Sequence, residues 1–230
     1  DPAASAARAG GLRPNWFVHV MVDGTVTLTC HRSEMGQGVR SSIPVLLADE
    51  LGASMERVKI VQADGDARYG DQNTDGSTSI RNQYEELRLV AATAREMLIE
   101  AAAKRWRVPA SQCEARDHVV RHRGSRRSLG FGELADEAGK LPVPAPAEVR
   151  LRPKAELRHL GKKLPLIDGP DIVVGRAVFG ADVHLPGMLT AVIARPPVVG
   201  GTVKSFDGKR ALAIPGVKQV VELPAPKAPY

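Results

Sequence analysis

Apolar and polar positions alternate from Trp16 to Cys30. Trp16, Val18, Val20 and Val22 share one face, and the alternation resumes from Thr25 to Cys30 after Asp23-Gly24. A period of two on either side of a two-residue turn signal predicts a β-hairpin over 16–31. The period then changes. Val39, Ile43, Leu46, Leu47 and Leu51 fall at helical spacing, and Gly52 suits the helix end. Pro44 falls either in the first turn of that helix or at a kink. Val58 to Ala63 reads as a strand, and Asp64 to Asp75 is polar and irregular, a long loop of the kind usually kept for function. A second helix runs from about Ile80 to Trp106, with Leu87, Val90, Ala91, Ala94, Met97, Leu98, Ala101 and Ala102 on its apolar face.

Short strands are expected at Gln112–Ala115, Val119–His122 and Arg127–Leu129, then a small helix from Phe131 to Ala138. Leu141-Pro142-Val143-Pro144-Ala145-Pro146 reads as a stiff linker with a domain boundary near it. From Glu156 onward the pattern is one of strands and turns, with glycine and proline fixing the turns. Two modest domains are therefore expected within the 230 residues.

Composition narrows the functional classes. The longest apolar runs fall well short of the ~20 residues a membrane helix needs. Aromatics make up only 4% of the chain, which argues against a base-stacking platform for single-stranded nucleic acid. The net charge of +6 is densest at Arg121-His122-Arg123-Gly124-Ser125-Arg126-Arg127. Without an interleaved aromatic or a recognition helix, nucleic acid ranks last there, and an anionic cofactor accounts for the charge equally well. Cys30 and Cys113 stand far apart and in no metal-binding spacing, so no metal or cluster ligation is assigned to the chain. Their pairing stays open, although Cys30, at the end of an apolar strand, reads as a buried free thiol. The Asp1-Pro2-Ala3-Ala4 start suggests a processed N-terminus, as after removal of an export signal; a cloning boundary would read the same way.

Two short stretches carry the candidate chemistry. Glu34-Met35-Gly36-Gln37-Gly38 leads out of the second strand into a helix, and its glycines allow positive φ and a close ligand. Gly76-Ser77-Thr78-Ser79 offers hydroxyls and N–H groups at a second helix start, where anions bind readily. Neither stretch holds a nucleophile–base pair, so no catalytic residue is assigned. His31 lies beside the first loop, and His19 lies in the preceding strand.

EMGQGV, the LLADEL helix, the VKIVQAD strand, GSTSIR and the alanine-rich helix, in this order, resemble the large, molybdopterin-binding subunit of the xanthine oxidase/aldehyde oxidase family. The branch it is most similar to is the isoquinoline 1-oxidoreductase β-subunit type. Gly175-Arg176-Ala177, Asp182, Leu185-Pro186-Gly187-Met188-Leu189 and Pro215-Gly216-Val217 resemble the start of that family's hammerhead domain. The resemblance implies an α+β fold: a molybdopterin-binding segment of strand hairpin and long helices over 12–140, a linker over 141–155, and an incomplete α/β hammerhead domain over 156–230. It departs from the family at Asp75, where a glycine is usual, and at Asp171-Ile172.

By this resemblance Met35, Gly36, Gln37 and Gly38 wrap the pterin, with the Gln37 amide on the heterocycle. Gly76, Ser77, Thr78 and Ser79 form the second loop, on the phosphate side. The implied cofactor is molybdopterin cytosine dinucleotide, with 2Fe-2S clusters in a partner subunit. The implied reaction oxidises an aldehyde or N-heterocycle with water as the oxygen source. The general-base glutamate is expected in a remaining portion of the large subunit, so the isolated chain is expected to be inactive. That portion, an iron–sulfur electron-transfer subunit, a cytochrome as a further acceptor and a small-molecule substrate are the implied partners. The periplasm, reached by the twin-arginine route, is the expected location, with the cytoplasm as the alternative. The competing reading is a non-catalytic scaffold that keeps the fold without cofactor.

Overall fold

The computed structural model describes residues 10–224; the start at Asp1-Pro2-Ala3-Ala4, with its expected processing, lies outside them. Four strands, β1 (Gly11–Leu12), β2 (Val18–Met21), β3 (Val26–Cys30) and β4 (Val58–Gln62), form one sheet in sequence order. The first three are antiparallel, while β3 and β4 run parallel from Val26↔Val58 to Cys30↔Gln62. A parallel pair needs a crossover, and helix α1 (Val39–Leu51) supplies it. The glycine-containing loop is therefore the connection that carries the chain off the C-terminal end of β3.

The hairpin forms where alternation predicts it, with a different turn. Met21 N donates to Thr25 O and Gly24 N to Met21 O, so three residues, 22–24, close it. Gly24 takes φ 85° at the position such a three-residue loop reserves for a left-handed residue. Trp16 lies before β2 and stays 39% exposed. Pro44 sits inside α1 beyond its first turn.

The second predicted helix is two helices, α2 (Thr78–Arg81) and α3 (Tyr84–Trp106). Gln83 takes non-helical angles between them, and its side-chain amide is committed to His31 and to the carbonyl of Asp71. A three-stranded antiparallel meander follows, β5 (Cys113–Arg116), β6 (Val119–His122) and β7 (Ser128–Gly130), then α4 (Phe131–Gly139). One core joins Val18, Val20 and Leu28 of the sheet to Ile43, Leu46 and Leu47 of α1, Ala91, Ala94 and Leu98 of α3, and Phe131 and Leu134 of α4. Cys30 and Cys113 are both buried free thiols.

Beneath this core lies a buried charge cluster. Glu50 is fully buried on α1 and accepts Arg88 Nε at 2.8 Å and Arg95 Nη1 at 2.5 Å, both from α3. Its carboxylate also takes the N–H of Arg152 at 2.7 Å, and Asp49 beside it accepts the N–H groups of Arg158, His159 and Leu160. Residues 150–160 are thereby stitched to the two helices.

The strands expected from Glu156 onward do not form among the described residues. Residues 156–182 carry only α5 (Gly169–Val173) and 3-10 turns, and belong to a unit spanning Asp1–Asp182. A second unit, Val183–Tyr230, contains α6 (Lys209–Leu212) as its helix and leaves Leu185, Val192, Val199 and Val221 exposed. Alternation alone does not hold a strand: it needs a hydrogen-bonded neighbour and a covered face, and these segments have neither.

Candidate functional site

The first loop is organised by its own acid. The Glu34 carboxylate accepts the backbone N–H groups of Gly36 at 2.8 Å and of Gly38 and Arg40 at 3.0 Å each. It thus fills the start of α1, whose N-cap Gly38 has no side chain to do so. Burial alone would push the Glu34 carboxyl up; the three N–H groups and the Arg40 charge more than offset this and hold it below the usual range. An anion meeting this helix start would compete with Glu34 for the same N–H groups.

Gln37 folds back on the same loop. Its Oε1 accepts from Met35 N at 2.6 Å, and its Nε2 donates to Ser33 O at 2.8 Å. A primary amide has two N–H donors and two acceptor lone pairs, so one of each still faces outward. Gly36 and Gly38 both take positive φ, 98° and 86°. Their surroundings differ. A methyl placed on Gly36 would meet nothing within 4 Å, whereas one on Gly38 would meet the Leu166 side chain at 2.7 Å. Met35 is 63% exposed beside the open position.

The second loop is also closed on itself. Asp75 accepts from the Thr78 hydroxyl at 3.2 Å and from the Asn73 amide at 2.7 Å, and its carbonyl takes Thr78 N. The acid that replaces the family's glycine thus points into its own turn. Ser77 adopts a left-handed φ of 61° and makes no capping bond, and the Thr78 hydroxyl donates back to the Asp75 carbonyl instead of accepting a helix N–H. Gly76 lies open apart from Thr78, Ser79 lies within α2, and Arg81 folds back to donate to Gly76 O at 3.2 Å.

The structure brings the bases of the two loops together. Ser33 N donates to the Thr74 hydroxyl at 3.1 Å, and Arg32 Nη2 to Asp71 Oδ2 at 3.0 Å. Gln72 donates to the carbonyls of His31 and Asp64, and Gln62 to those of Cys30 and Arg32. Two glutamines, at 72 and 83, thus sew the 64–77 loop to the end of β3, and Gln62 ties the end of β4 to it. His31 is buried, with Nε2 2.5 Å from Gln83 Oε1 and its ring edge-on to Phe17. Burial, followed by the Arg32 charge among the lowering causes, holds it below the usual histidine value. Burial likewise pushes the Cys30 thiol up to about 11, which keeps it protonated and unreactive.

Arg32 is the residue the sequence did not single out. It is fully buried, yet its Nε and Nη1 have no partner among the described residues, and neither does His31 Nδ1. A buried guanidinium with unmet donors is costly, and a group of this kind calls for a partner such as a water, an ion or a ligand. The sequence signal was present only as a cation shortly before the glycine loop. Among the described residues, no three His, Cys, Asp or Glu side chains are grouped to hold a metal ion.

The family model for the molybdopterin cofactor-binding domain matches residues 4–163. The chain is 33% identical over 262 residues to the beta chain of isoquinoline 1-oxidoreductase of Brevundimonas diminuta, covering 97% of this chain and 34% of that protein. It is 28% identical over 219 residues to the membrane-bound aldehyde dehydrogenase (pyrroloquinoline-quinone) of Gluconacetobacter polyoxogenes, covering 90% and 27% respectively. It is 29% identical over 214 residues to a subunit of the nicotinate dehydrogenase of Pseudomonas putida, covering 89% and 18%. The chain thus spans about a third or less of the length of these curated relatives. Among solved structures, quinoline 2-oxidoreductase from Pseudomonas putida 86 aligns over 53% of this chain and 15% of that one, with a TM-score of 0.45 and 21% identity.

Proposed function

The chain belongs to the molybdopterin cofactor-binding domain family, and from that premise we propose that it forms one side of the cofactor site of a molybdenum hydroxylase. The reaction is oxidation of an aldehyde or N-heterocycle with oxygen drawn from water. The observation that carries this reading is the contrast at the first loop. Glu34 holds the backbone rigid from behind, while Gly36 is left open and Gln37 keeps one donor and one acceptor in reserve.

The residues fit a pterin. Met35, Gly36 and Gln37 would wrap it, with Gly36 as the point of close approach and the Gln37 amide bonding the ring edge, while Gly38, at φ 86° and covered by Leu166, would shape the loop behind them. Gly76, Ser77, Thr78 and Ser79 serve the phosphate side; Arg81 beside them supplies a cation where Asp75 would otherwise repel. The cofactor is the cytosine dinucleotide form. When bound, it supplies the redox chemistry, while this chain binds and orients it and contributes no acid or base. The name of the Gluconacetobacter polyoxogenes relative assigns a quinone to that protein, but the family that matches residues 4–163 supports molybdopterin for this one.

In the working enzyme, residues 12–140 act as the first cofactor-binding segment, 141–155 as the linker and 156–230 as part of a hammerhead-like domain. The remaining large-subunit portion supplies the general base, and a 2Fe-2S subunit, with a cytochrome as further acceptor, takes the electrons. The assembly works in the periplasm. No described helix is long and apolar enough to cross a membrane. The test is hydroxylation in 18O-labelled water by the assembly isolated through a tag on this chain. Label in the product is expected; label drawn from dioxygen, or no oxidation of either substrate class, overturns the reading.

A further inference from the structure

The resemblance in sequence implies a ligand close to Gly38, but in this chain the space beside it is taken by the protein. Leu166 Cδ2 lies 2.7 Å from where a Gly38 Cβ would stand. Next to it, Ile167 N donates to the Ser41 hydroxyl at 2.8 Å, and Arg40 Nε donates to Asp168 Oδ2 at 2.8 Å. Arg40 is the same residue whose N–H is held by Glu34. Three consecutive residues, more than a hundred positions downstream, therefore grip the first turn of α1 from outside while Glu34 grips it from inside. Leu166 and Ile167 remain 44% and 38% exposed, so the grip is polar and local, not core packing.

We propose that Leu166–Ile167–Asp168 is a latch on the EMGQG loop. It walls off the Gly38 side, leaves the Met35–Gly36–Gln37 side of this loop open to the ligand, and sets how long the ligand is retained. The proposal rests on the cofactor reading above. A partly exposed charged pair with one backbone bond beside it is worth a modest amount, so release of the latch should change ligand off-rates about three- to tenfold rather than abolish binding.

Hydrogen exchange on the full chain tests the latch without any ligand. The Ile167 amide is expected to be protected, and Asp168→Ala or Ser41→Ala is expected to speed its exchange about tenfold, while amides of β2 and β3 stay unchanged. Asp168→Glu, which keeps the charge, should recover most of the protection. Exchange at Ile167 as fast in the wild type as in Asp168→Ala overturns the latch. In the native assembly, Gly36→Ala should lose cofactor with Ile167 still protected, and Gly38→Ala should expose Ile167. The reverse pattern also overturns the latch, as does unchanged cofactor release from Asp168→Ala. A wild-type assembly without any cofactor overturns the proposed function instead, and the exchange measurement then decides the latch by itself.

Discussion

The carboxylate of Glu34 accepts the backbone N–H of Arg40 at 3.0 Å, reaching across six positions to cap the helix its own loop begins. Two further N–H groups, of Gly36 and Gly38, converge on the same side chain. Glu34→Ala leaves three donors without an acceptor and is expected to cost about 1–2 kcal/mol, in the range of a lost helix cap. Urea unfolding of the full chain measures it. Glu34→Gln, which keeps one acceptor oxygen, should lose less.

Acid should loosen the fold in two stages. Burial holds His31, and also His118 in the β5–β6 turn with Nε2 2.6 Å from Gly24 O, below the usual histidine value, so both resist protonation in the fold while the unfolded chain takes up protons near pH 6.5. Their contribution is complete above about pH 6.5 and declines as pH falls from there through the folded values. Glu34, also held low, contributes fully above its unfolded value of about 4.3 and loses that contribution as pH drops through its lower folded value. A urea midpoint that is flat from pH 7 to pH 4 would contradict the first stage.

Much of this was legible in the sequence, and what was not has a physical reason. Alternation located β2 and β3, and the VVRH strand fell at Val119–His122 as read. The glycine loop was visible because two glycines bracket Gln37 between a strand pattern and a helix pattern, where positive φ is needed. The break at Gln83 was not, since it follows from a bond to His31, 52 positions away. Glu34 was legible only as a carboxylate near a loop; its three bonds depend on how Gly36 and Gly38 turn. The latch was invisible because nothing local ties Asp168 to Arg40. After Glu156 the alternating residues looked like strands, but pairing partners cannot be read from one strand's own pattern.

Glu50 is the anion for a buried cluster of arginines. Arg88 and Arg95 are nearly buried, and both donate to it, while Arg152 donates its N–H to the carboxylate and its Nε to the Glu50 carbonyl. Glu50→Ala strands these cations and is expected to cost about 3–5 kcal/mol. Thermal unfolding should show it, together with faster proteolysis within residues 150–160.

Arg32 separates binding from stability. If its unmet donors serve the cofactor site, Arg32→Met should hold or raise the urea midpoint, since an apolar side chain of similar length removes a buried charge with two unmet donor groups and leaves only the exposed Asp71 without its partner. The same variant should lower the cofactor content of the assembly. A variant that is both less stable and fully loaded would assign Arg32 a purely structural role.

The central claim, that this chain helps hold molybdopterin cytosine dinucleotide, is tested most directly by the composition of the native assembly. It should be isolated through a tag on this chain and assayed for molybdenum, for oxidised pterin fluorescence and for cytosine nucleotide released by acid. The expected result is all three in equimolar amount with the chain, falling together in Gly36→Ala. An intact wild-type assembly with neither molybdenum nor pterin would contradict the claim.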